Sequence, residues 1–204
     1  MTRRVVAVLA PPPAPGSLLE PLRAVMVEDV YETVAGLELV EVVLAVTAGD
    51  PVGAELESLT WPGTRVLRVA AADGPPALEV AAALARLGAD EVTVVAGDAP
   101  DLPPLLVGKL HRGLGSAEVA VLPCAGGGLV ALACRCPVPA WLTAAGVGTD
   151  TPDAMAALRS AAPRRTAVSV GPGWHRVRTR DDLARLDPGL EGWEATRAAV
   201  SAGR

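Results

Sequence analysis

The sequence contains no phenylalanine, and aromatic residues make up only 2% of its 204 residues. Hydrophobic residues nevertheless reach 50%, so the core has to be filled by Ala, Val and Leu, which favours close packing of helices on a sheet. A chain of this length can bury a full core. We therefore expect one domain that spans residues 1–204.

Long basic runs and long apolar runs are absent as well. The net charge is −5, and the sequence has no run rich in lysine or arginine. Because such basic residues bind the phosphate backbone of nucleic acids, nucleic acid is not an expected partner. No apolar run reaches the length that spans a membrane, and residues 2–10 are too short, and too soon followed by prolines, for a signal peptide. These absences predict a cytoplasmic protein with no membrane partner.

Cysteine is scarce. Cys124, Cys134 and Cys136 are odd in number, and one residue separates the last two, whereas metal and redox motifs usually place two residues between their thiols. We interpret the three as reduced core residues, with metal ligands as the alternative.

The chain alternates apolar runs with helical patterns. Short runs rich in β-branched residues predict strands at 4–10, 39–46, 66–70 and 92–96. The segments between and after them predict helices at 17–36, 51–59, 76–87 and 103–114, with Ser17 as the first N-cap and Arg23 and Asp29 facing away from the core. Such alternation predicts an α/β fold, a Rossmann-like three-layer sandwich with a mostly parallel sheet.

The pattern changes after residue 114. Strands are predicted at 119–122 and 129–134, and the glycines between them leave no room for a crossover helix, so these strands are not expected to be parallel neighbours. The glycines either form a hairpin or let a backbone lie close against a ligand. Thr151 is the predicted N-cap of a helix that runs to Ala161. A strand at 166–170, an extended piece at 174–178, a helix capped by Thr179 and a final surface helix at 191–202 complete the prediction.

The strongest candidate site lies at residues 91–103. Here an apolar strand ends at Gly97, which lets the backbone turn, and Asp98 and Asp101 follow at the carboxyl end of the strand. Ligands of open α/β sheets bind outside the carboxyl ends of strands, so chemistry is expected at Asp98. The alternative is that both aspartates only cap a turn or a helix.

Several segments together resemble bacterial GT-A-like glycosyltransferases and nucleotidyltransferases related to the phospholactate guanylyltransferases, in the nucleotide-diphospho-sugar transferase superfamily. Gly97, Asp98, Pro100 and Leu102 match the pattern that ends a central strand in that family. Residues 123–129 stand where the family has a proline and an Asp-Gly-Gly turn, and residues 176–183 stand where it has Asp-x-Asp and then Thr-Pro-Glu-Asp-Leu.

The resemblance implies a GT-A fold and nucleotide-dependent transfer of a glycosyl or nucleotidyl group from a nucleotide sugar or nucleoside triphosphate. It implies Mg²⁺ or Mn²⁺ as cofactor with Asp98 as metal ligand, because oxygen-bound divalent cations neutralise the charge of a diphosphate. Asp98 and Asp101 are the implied catalytic residues. The residues expected to contact the nucleotide are Gly16, Gly97, Gly127, Gly128, Arg176 and Arg178.

The sequence also departs from the family pattern. Pro11 stands near the family's first lysine, and residues 17–22 contain no Lys or Arg where the family has basic groups for phosphates. Gly126 replaces the aspartate of Asp-Gly-Gly, and Arg176 and Arg178 replace both acids of Asp-x-Asp. Each change from aspartate to arginine reverses the charge by two units, which would cost several kcal/mol of metal binding in a partly desolvated pocket.

Two interpretations of the arginines follow. In the first, Arg176 and Arg178 face solvent at the end of a strand, and the site has decayed. In the second, they supply fixed positive charge near Asp98, by pairing with it or by binding an anionic ligand without a cation.

His175 either assists the site or is structural, and His111 is expected at the surface or a helix end. The functional hypotheses are a divergent transferase and a non-catalytic descendant that binds an anion or a partner protein. Homodimer formation stays open.

Overall fold

The computed structural model describes residues 2–12, 16–17, 19–50, 53–70 and 74–202. These residues form one seven-stranded sheet, with strands β1 (Arg4–Leu9), β2 (Glu41–Thr47), β3 (Arg65–Val69), β4 (Glu91–Ala96), β5 (Val119–Pro123), β6 (Leu129–Arg135) and β7 (Val168–Val170). The strand order is β3-β2-β1-β4-β6-β5-β7. All neighbours are parallel except β6, which is antiparallel to both β4 and β5.

Helices cover both faces of the sheet. They are α1 (Arg23–Ala35), α2 (Gly53–Ser58), α3 (Pro76–Arg86), α4 (Pro104–Leu114), α5 (Ala140–Ala145), α6 (Ala154–Ala161) and α7 (Glu194–Ala202), with short 3-10 helices at Glu20–Leu22, Arg165–Ala167 and Arg180–Arg185. Alternate residues of β1 point to opposite sides. Val5 and Ala7 pack with α3, α5 and α6, while Val6 and Val8 pack with α1, α2 and α4. This confirms the predicted three-layer α/β sandwich.

The antiparallel strand β6 explains the change of pattern after residue 114. β5 and β6 form a hairpin in which Val121 pairs with Leu132, and β6 then inserts between β5 and β4. The prediction that these two segments are not parallel neighbours is confirmed, and of the two roles offered for the glycines, the hairpin is the one observed. Cys124 and Cys134 are buried on opposite faces of the sheet, as expected for core residues, and Cys136 is half-buried.

Two predicted N-caps are wrong. Leu22, not Ser17, precedes α1, because a 3-10 turn comes first and the Ser17 hydroxyl accepts a hydrogen bond from the Leu19 N–H at 3.2 Å. Asp153, not Thr151, precedes α6, since the Thr151 hydroxyl accepts a hydrogen bond from the Gly148 N–H at 3.0 Å and closes the preceding loop. In both cases an adjacent turn takes the hydroxyl that a local pattern assigns to the helix.

The final helix α7 docks on α1 through a buried carboxylate. Asp29 is 2% exposed and accepts hydrogen bonds from the N–H groups of Ala195 (3.0 Å) and Thr196 (2.8 Å) at the start of α7. Burial raises the pKa of Asp29 to about 6, although these hydrogen bonds act in the opposite direction. The prediction that Asp29 faces away from the core is therefore wrong, because an element at the far end of the sequence covers that face.

His111 lies in the last turn of α4, which confirms the helix end and not the surface of the two predicted positions. Its side chain is mostly buried on α4, 3.7 Å from the carboxylate of Glu91, and burial lowers its pKa. No helix within the described ranges is both long and apolar enough to span a membrane.

Candidate functional site

Asp98 lies where two parallel strands end side by side. The last residues of β1 and β4 are paired, and the Gly97 N–H donates to the Leu9 carbonyl at 2.8 Å. A Cβ atom at position 97 would lie 2.9 Å from Val27 Cγ2 and 3.0 Å from the Leu9 carbonyl oxygen. Only glycine permits this approach of the chains. Gly97 therefore has a packing role, and it sets Asp98 at the carboxyl end of the sheet, where the sequence predicts the site.

Arg176 forms a buried ion pair with Asp98. Its Nε lies 2.5 Å from Asp98 Oδ1 and its Nη2 lies 2.9 Å from Oδ2, so both carboxylate oxygens are engaged. Each of the two residues is only 4% exposed. The backbone strengthens this arrangement, because the Val177 N–H donates to the Asp98 carbonyl at 2.7 Å. The interpretation that Arg176 faces solvent is wrong, and the interpretation that it pairs with Asp98 is confirmed.

The other side of the Arg176 guanidinium faces the loop before α6. Nη1 donates to the carbonyls of Leu129 (3.2 Å) and Thr149 (3.0 Å) and lies 2.9 Å from Asp150 Oδ1. Burial acts to lower the pKa of Arg176, but the carboxylates of Asp98 and Asp150 outweigh it and raise that pKa. Arg176 is therefore a permanent cation held between two carboxylates.

Arg178 and Asp150 stand closer to solvent. The side chain of Arg178 is 35% exposed and that of Asp150 is 54% exposed, and 3.7 Å separates Arg178 Nη2 from Asp150 Oδ1. Arg178 Nη1 also donates to the Gly127 carbonyl at 3.1 Å. Both side chains thus lie at the mouth of the site.

These side chains line a cleft of about 180 Å³. Its other wall comes from Pro11 and Pro12 after β1 and from the start of α1. Arg23 also lines the cleft, but it is buried, donates to the Pro11 carbonyl at 2.8 Å and forms an ion pair with Asp50. The prediction that Arg23 faces away from the core is therefore wrong. No local signal reveals its partner Asp50, which lies 27 residues later in the sequence.

Comparison with protein families matches residues 17–168 to the MobA-like NTP transferase domain. That segment covers about three quarters of the chain and includes Asp98. The chain belongs to this family. Arg176 and Arg178 lie beyond the matched segment. The resemblance to nucleotidyltransferases is thereby confirmed, and the narrower relation to phospholactate guanylyltransferases stays a prediction. Comparison with curated proteins finds no match.

Solved structures share the fold. A protein from Desulfovibrio desulfuricans provisionally called a nucleotide-diphospho-sugar transferase has a TM-score of 0.67 at 19% identity, covering 98% of this chain and 96% of its own. CMP:2-keto-3-deoxy-manno-octonic acid synthetase, solved with CTP, has a TM-score of 0.56 at 14% identity over 100% and 99%. A Mycobacterium tuberculosis protein solved with manganese has a TM-score of 0.56 at 20% identity over 91% and 97%. At these identities the likeness shows the fold alone.

Within this NTP transferase domain, Asp101 lies behind the cleft. It is 2% exposed and accepts hydrogen bonds from Trp174 Nε1 (3.2 Å) and from the Asp187 N–H (3.1 Å), while His175 Nε2 lies 3.0 Å from its Oδ2. The rings of Trp174 and His175 stack with their centroids 4.9 Å apart. Asp101 thus fixes the segment that carries Arg176. Its catalytic role stays a prediction, and its contacts support a positioning role.

The glycine turn before β6 packs against protein. A Cβ atom on Gly128 would lie 2.5 Å from the Thr149 carbonyl oxygen, and one on Gly127 would lie 3.1 Å from the Pro152 carbonyl oxygen. Both residues have positive φ, as does Gly16, which has open space around it. None of these glycines lines the 180 Å³ cleft described above. Their contact with a nucleotide stays a prediction, and packing against the loop at 149–152 explains Gly127 and Gly128.

The residues at Asp98 do not fit a divalent cation. The Arg176 guanidinium lies against both oxygens of Asp98, so a divalent cation bound there would meet a like charge at close range in a buried site. Among the residues that the structure describes, no group of three or more His, Cys, Asp or Glu side chains is placed to hold a metal ion. The predicted role of Asp98 as a metal ligand is therefore in conflict with the ion pair that the folded chain forms.

Proposed function

We propose that this protein is a nucleotide-dependent transferase that binds a nucleoside triphosphate or a nucleotide sugar in the cleft beside Asp98 and transfers a nucleotidyl or glycosyl group. The cleft itself is the main support: it opens at the carboxyl ends of β1 and β4, and its lining includes Asp98 from the segment that matches the NTP transferase family. Arg178 presents a planar guanidinium group at the mouth that suits phosphate oxygens, and Arg176 adds buried positive charge behind it. The CTP complex of the octonic acid synthetase supports nucleotide as the ligand class. We expect the protein to act in the cytoplasm.

A second candidate is a non-catalytic descendant that binds an anion or a partner protein at the same cleft. The Asp98–Arg176 ion pair favours it, because the carboxylate expected to take part in chemistry is already bound. The absence of Lys and Arg from residues 17–22 favours it too, since the family's basic groups for phosphates are missing there.

A thermal-shift panel tests the proposal. Nucleoside triphosphates and nucleotide sugars are added with EDTA, Mg²⁺ or Mn²⁺; the manganese complex of the M. tuberculosis protein supports including that ion. A ligand at one hundred times its Kd stabilises by about 2.7 kcal/mol, which raises the Tm by roughly 5–10 °C for a chain of this size. Arg178→Gln should reduce the shift, and Arg159→Gln, on the exposed side of α6, is the matched control that should not.

Turnover then separates the two candidates. Each nucleotide that binds is incubated with a mixture of sugar phosphates. Phosphorus NMR follows the new diphosphate linkage and the inorganic diphosphate that nucleotidyl transfer releases, or the nucleoside mono- or diphosphate that glycosyl transfer releases. New signals that the Arg178→Gln variant loses support the transferase. Binding without any change in the phosphorus spectrum supports the non-catalytic candidate. If no nucleotide shifts the Tm under any condition, the proposed function is wrong.

A further inference from the structure

Two carboxylates of the cleft, from Asp98 and Asp150, lie against one central cation, the guanidinium of Arg176. Asp98 binds one edge of the Arg176 guanidinium through both oxygens, and Asp150 lies 2.9 Å from Nη1 on another edge. A divalent cation at Asp98 would have to break this buried pair, and leaving one partner of such a pair uncompensated costs about 3–5 kcal/mol. Binding of Asp98 by Arg176 is therefore favoured over binding of Asp98 by a metal ion from solution.

The two carboxylates differ in how firmly they are held. Asp98 is almost fully buried, whereas more than half of the Asp150 side chain is exposed, at 54%. An ion pair with so exposed a partner contributes only about 0–1 kcal/mol, because water and salt screen it. Asp150 can therefore leave Arg176 at little cost, while Asp98 stays in place.

Displacing Asp150 uncovers positive charge. Asp98, Asp150, Arg176 and Arg178 together sum to zero, so withdrawal of Asp150 leaves one net positive charge on these four residues, and Glu20 is a further acid that lines the cleft. Nη1 of Arg176 still donates to the carbonyls of Leu129 and Thr149, so it attracts an anion through its charge. Arg178 stands beside this position, fixed by its bond to the Gly127 carbonyl. Arg178 supplies a guanidinium group at the mouth and Arg176 supplies positive charge behind it, and together they favour a ligand with several anionic oxygens, such as a phosphate or diphosphate group.

We infer that Arg176 takes the place of a divalent cation in this cleft, and that a phosphate or diphosphate group of the ligand binds Arg176 and Arg178 without metal by replacing the carboxylate of Asp150. The inference rests on the proposed function for the nucleotide that carries this group. Free diphosphate has the same chemistry, so it serves as the probe for the anion site alone.

Isothermal titration calorimetry with inorganic pyrophosphate tests the inference, and each nucleotide of the thermal-shift panel is titrated alongside. Pyrophosphate should bind in EDTA, and Mg²⁺ or Mn²⁺ should not tighten the binding. Arg178→Gln should weaken it about tenfold, the effect of losing a hydrogen bond to a charged group. Asp150→Asn should tighten it a few fold, because the competing carboxylate is gone. Asp153→Asn, an exposed acid of the same loop, is the matched control and should leave the affinity unchanged.

The outcomes separate this inference from the proposed function. If nucleotides bind only with metal, the proposed function stands and the inference is wrong. If pyrophosphate binds in EDTA but no nucleotide binds, the inference stands and the proposed function is wrong. Absence of binding by either probe overturns both. Binding that is equal in wild type and Arg178→Gln also overturns the inference, since the anion would then lie elsewhere.

Discussion

Asp98→Asn, Arg176→Met and the double variant should show that these two side chains stabilise the protein as a pair. Each residue is 4% exposed, so either single change leaves a buried charge without its partner. Such a loss costs about 3–5 kcal/mol. Arg176→Met should lie at the upper end, because it also removes the donors to the carbonyls of Leu129 and Thr149, at about 1 kcal/mol each.

The double variant contains no unpaired charge from this pair, so it should cost less than the sum of the single changes. We expect a coupling energy of about 3 kcal/mol from a double-mutant cycle. Urea unfolding followed by circular dichroism measures the free energies, and the single variants should lower the Tm by roughly 6–20 °C. Arg178→Gln, at the mouth and 35% exposed, is the control and should cost less than about 1 kcal/mol. Single effects that add to within about 0.5 kcal/mol would refute a coupled ion pair.

Two further predictions concern the framework of the site. The pKa of Asp29 is raised from 3.8 to about 6 in the folded chain, so the stability it contributes is full below pH 4 and is lost as the pH rises through 6. The unfolding free energy of wild type relative to Asp29→Asn should therefore fall by about 2 kcal/mol between pH 4 and pH 7, and a difference independent of pH would contradict this. Gly128→Ala should cost roughly 2–5 kcal/mol in urea unfolding, because its Cβ would meet the Thr149 carbonyl at 2.5 Å with φ at +78°. Gly126→Ala, also at positive φ but with nothing within 4 Å, should cost only about 1–2 kcal/mol, and equal losses at the two glycines would exclude the steric reason.

The helix and strand patterns were sufficient to predict the layers of the fold. Strand runs with a period of two and helical runs between them are local properties, and the right-handed crossover rule then leaves few arrangements. The rule that ligands bind outside the carboxyl ends of strands pointed to Asp98 as the candidate site, and the structure sets Asp98 at that edge, beside the end of β1. The true N-caps of α1 and α6 could not be predicted. The hydroxyls of Ser17 and Thr151 have several backbone partners within reach, and the neighbouring turns decide among these partners.

The sequence by itself determined the sandwich, the lack of a crossover helix between β5 and β6, and the position of Asp98 at the end of β4. Only the tertiary structure decided the charges around it. Arg176 is 78 residues from Asp98, and Asp29 is 167 residues from Thr196. A local sequence pattern predicts that a charged residue faces solvent, because a buried charge requires a partner. For Arg176 and Asp29 that partner comes from a distant part of the chain, so the local pattern does not show it. For that reason the sequence shows Arg176 only as a departure from the pattern that the family resemblance implies, and its ion pair with Asp98 is visible only in the fold.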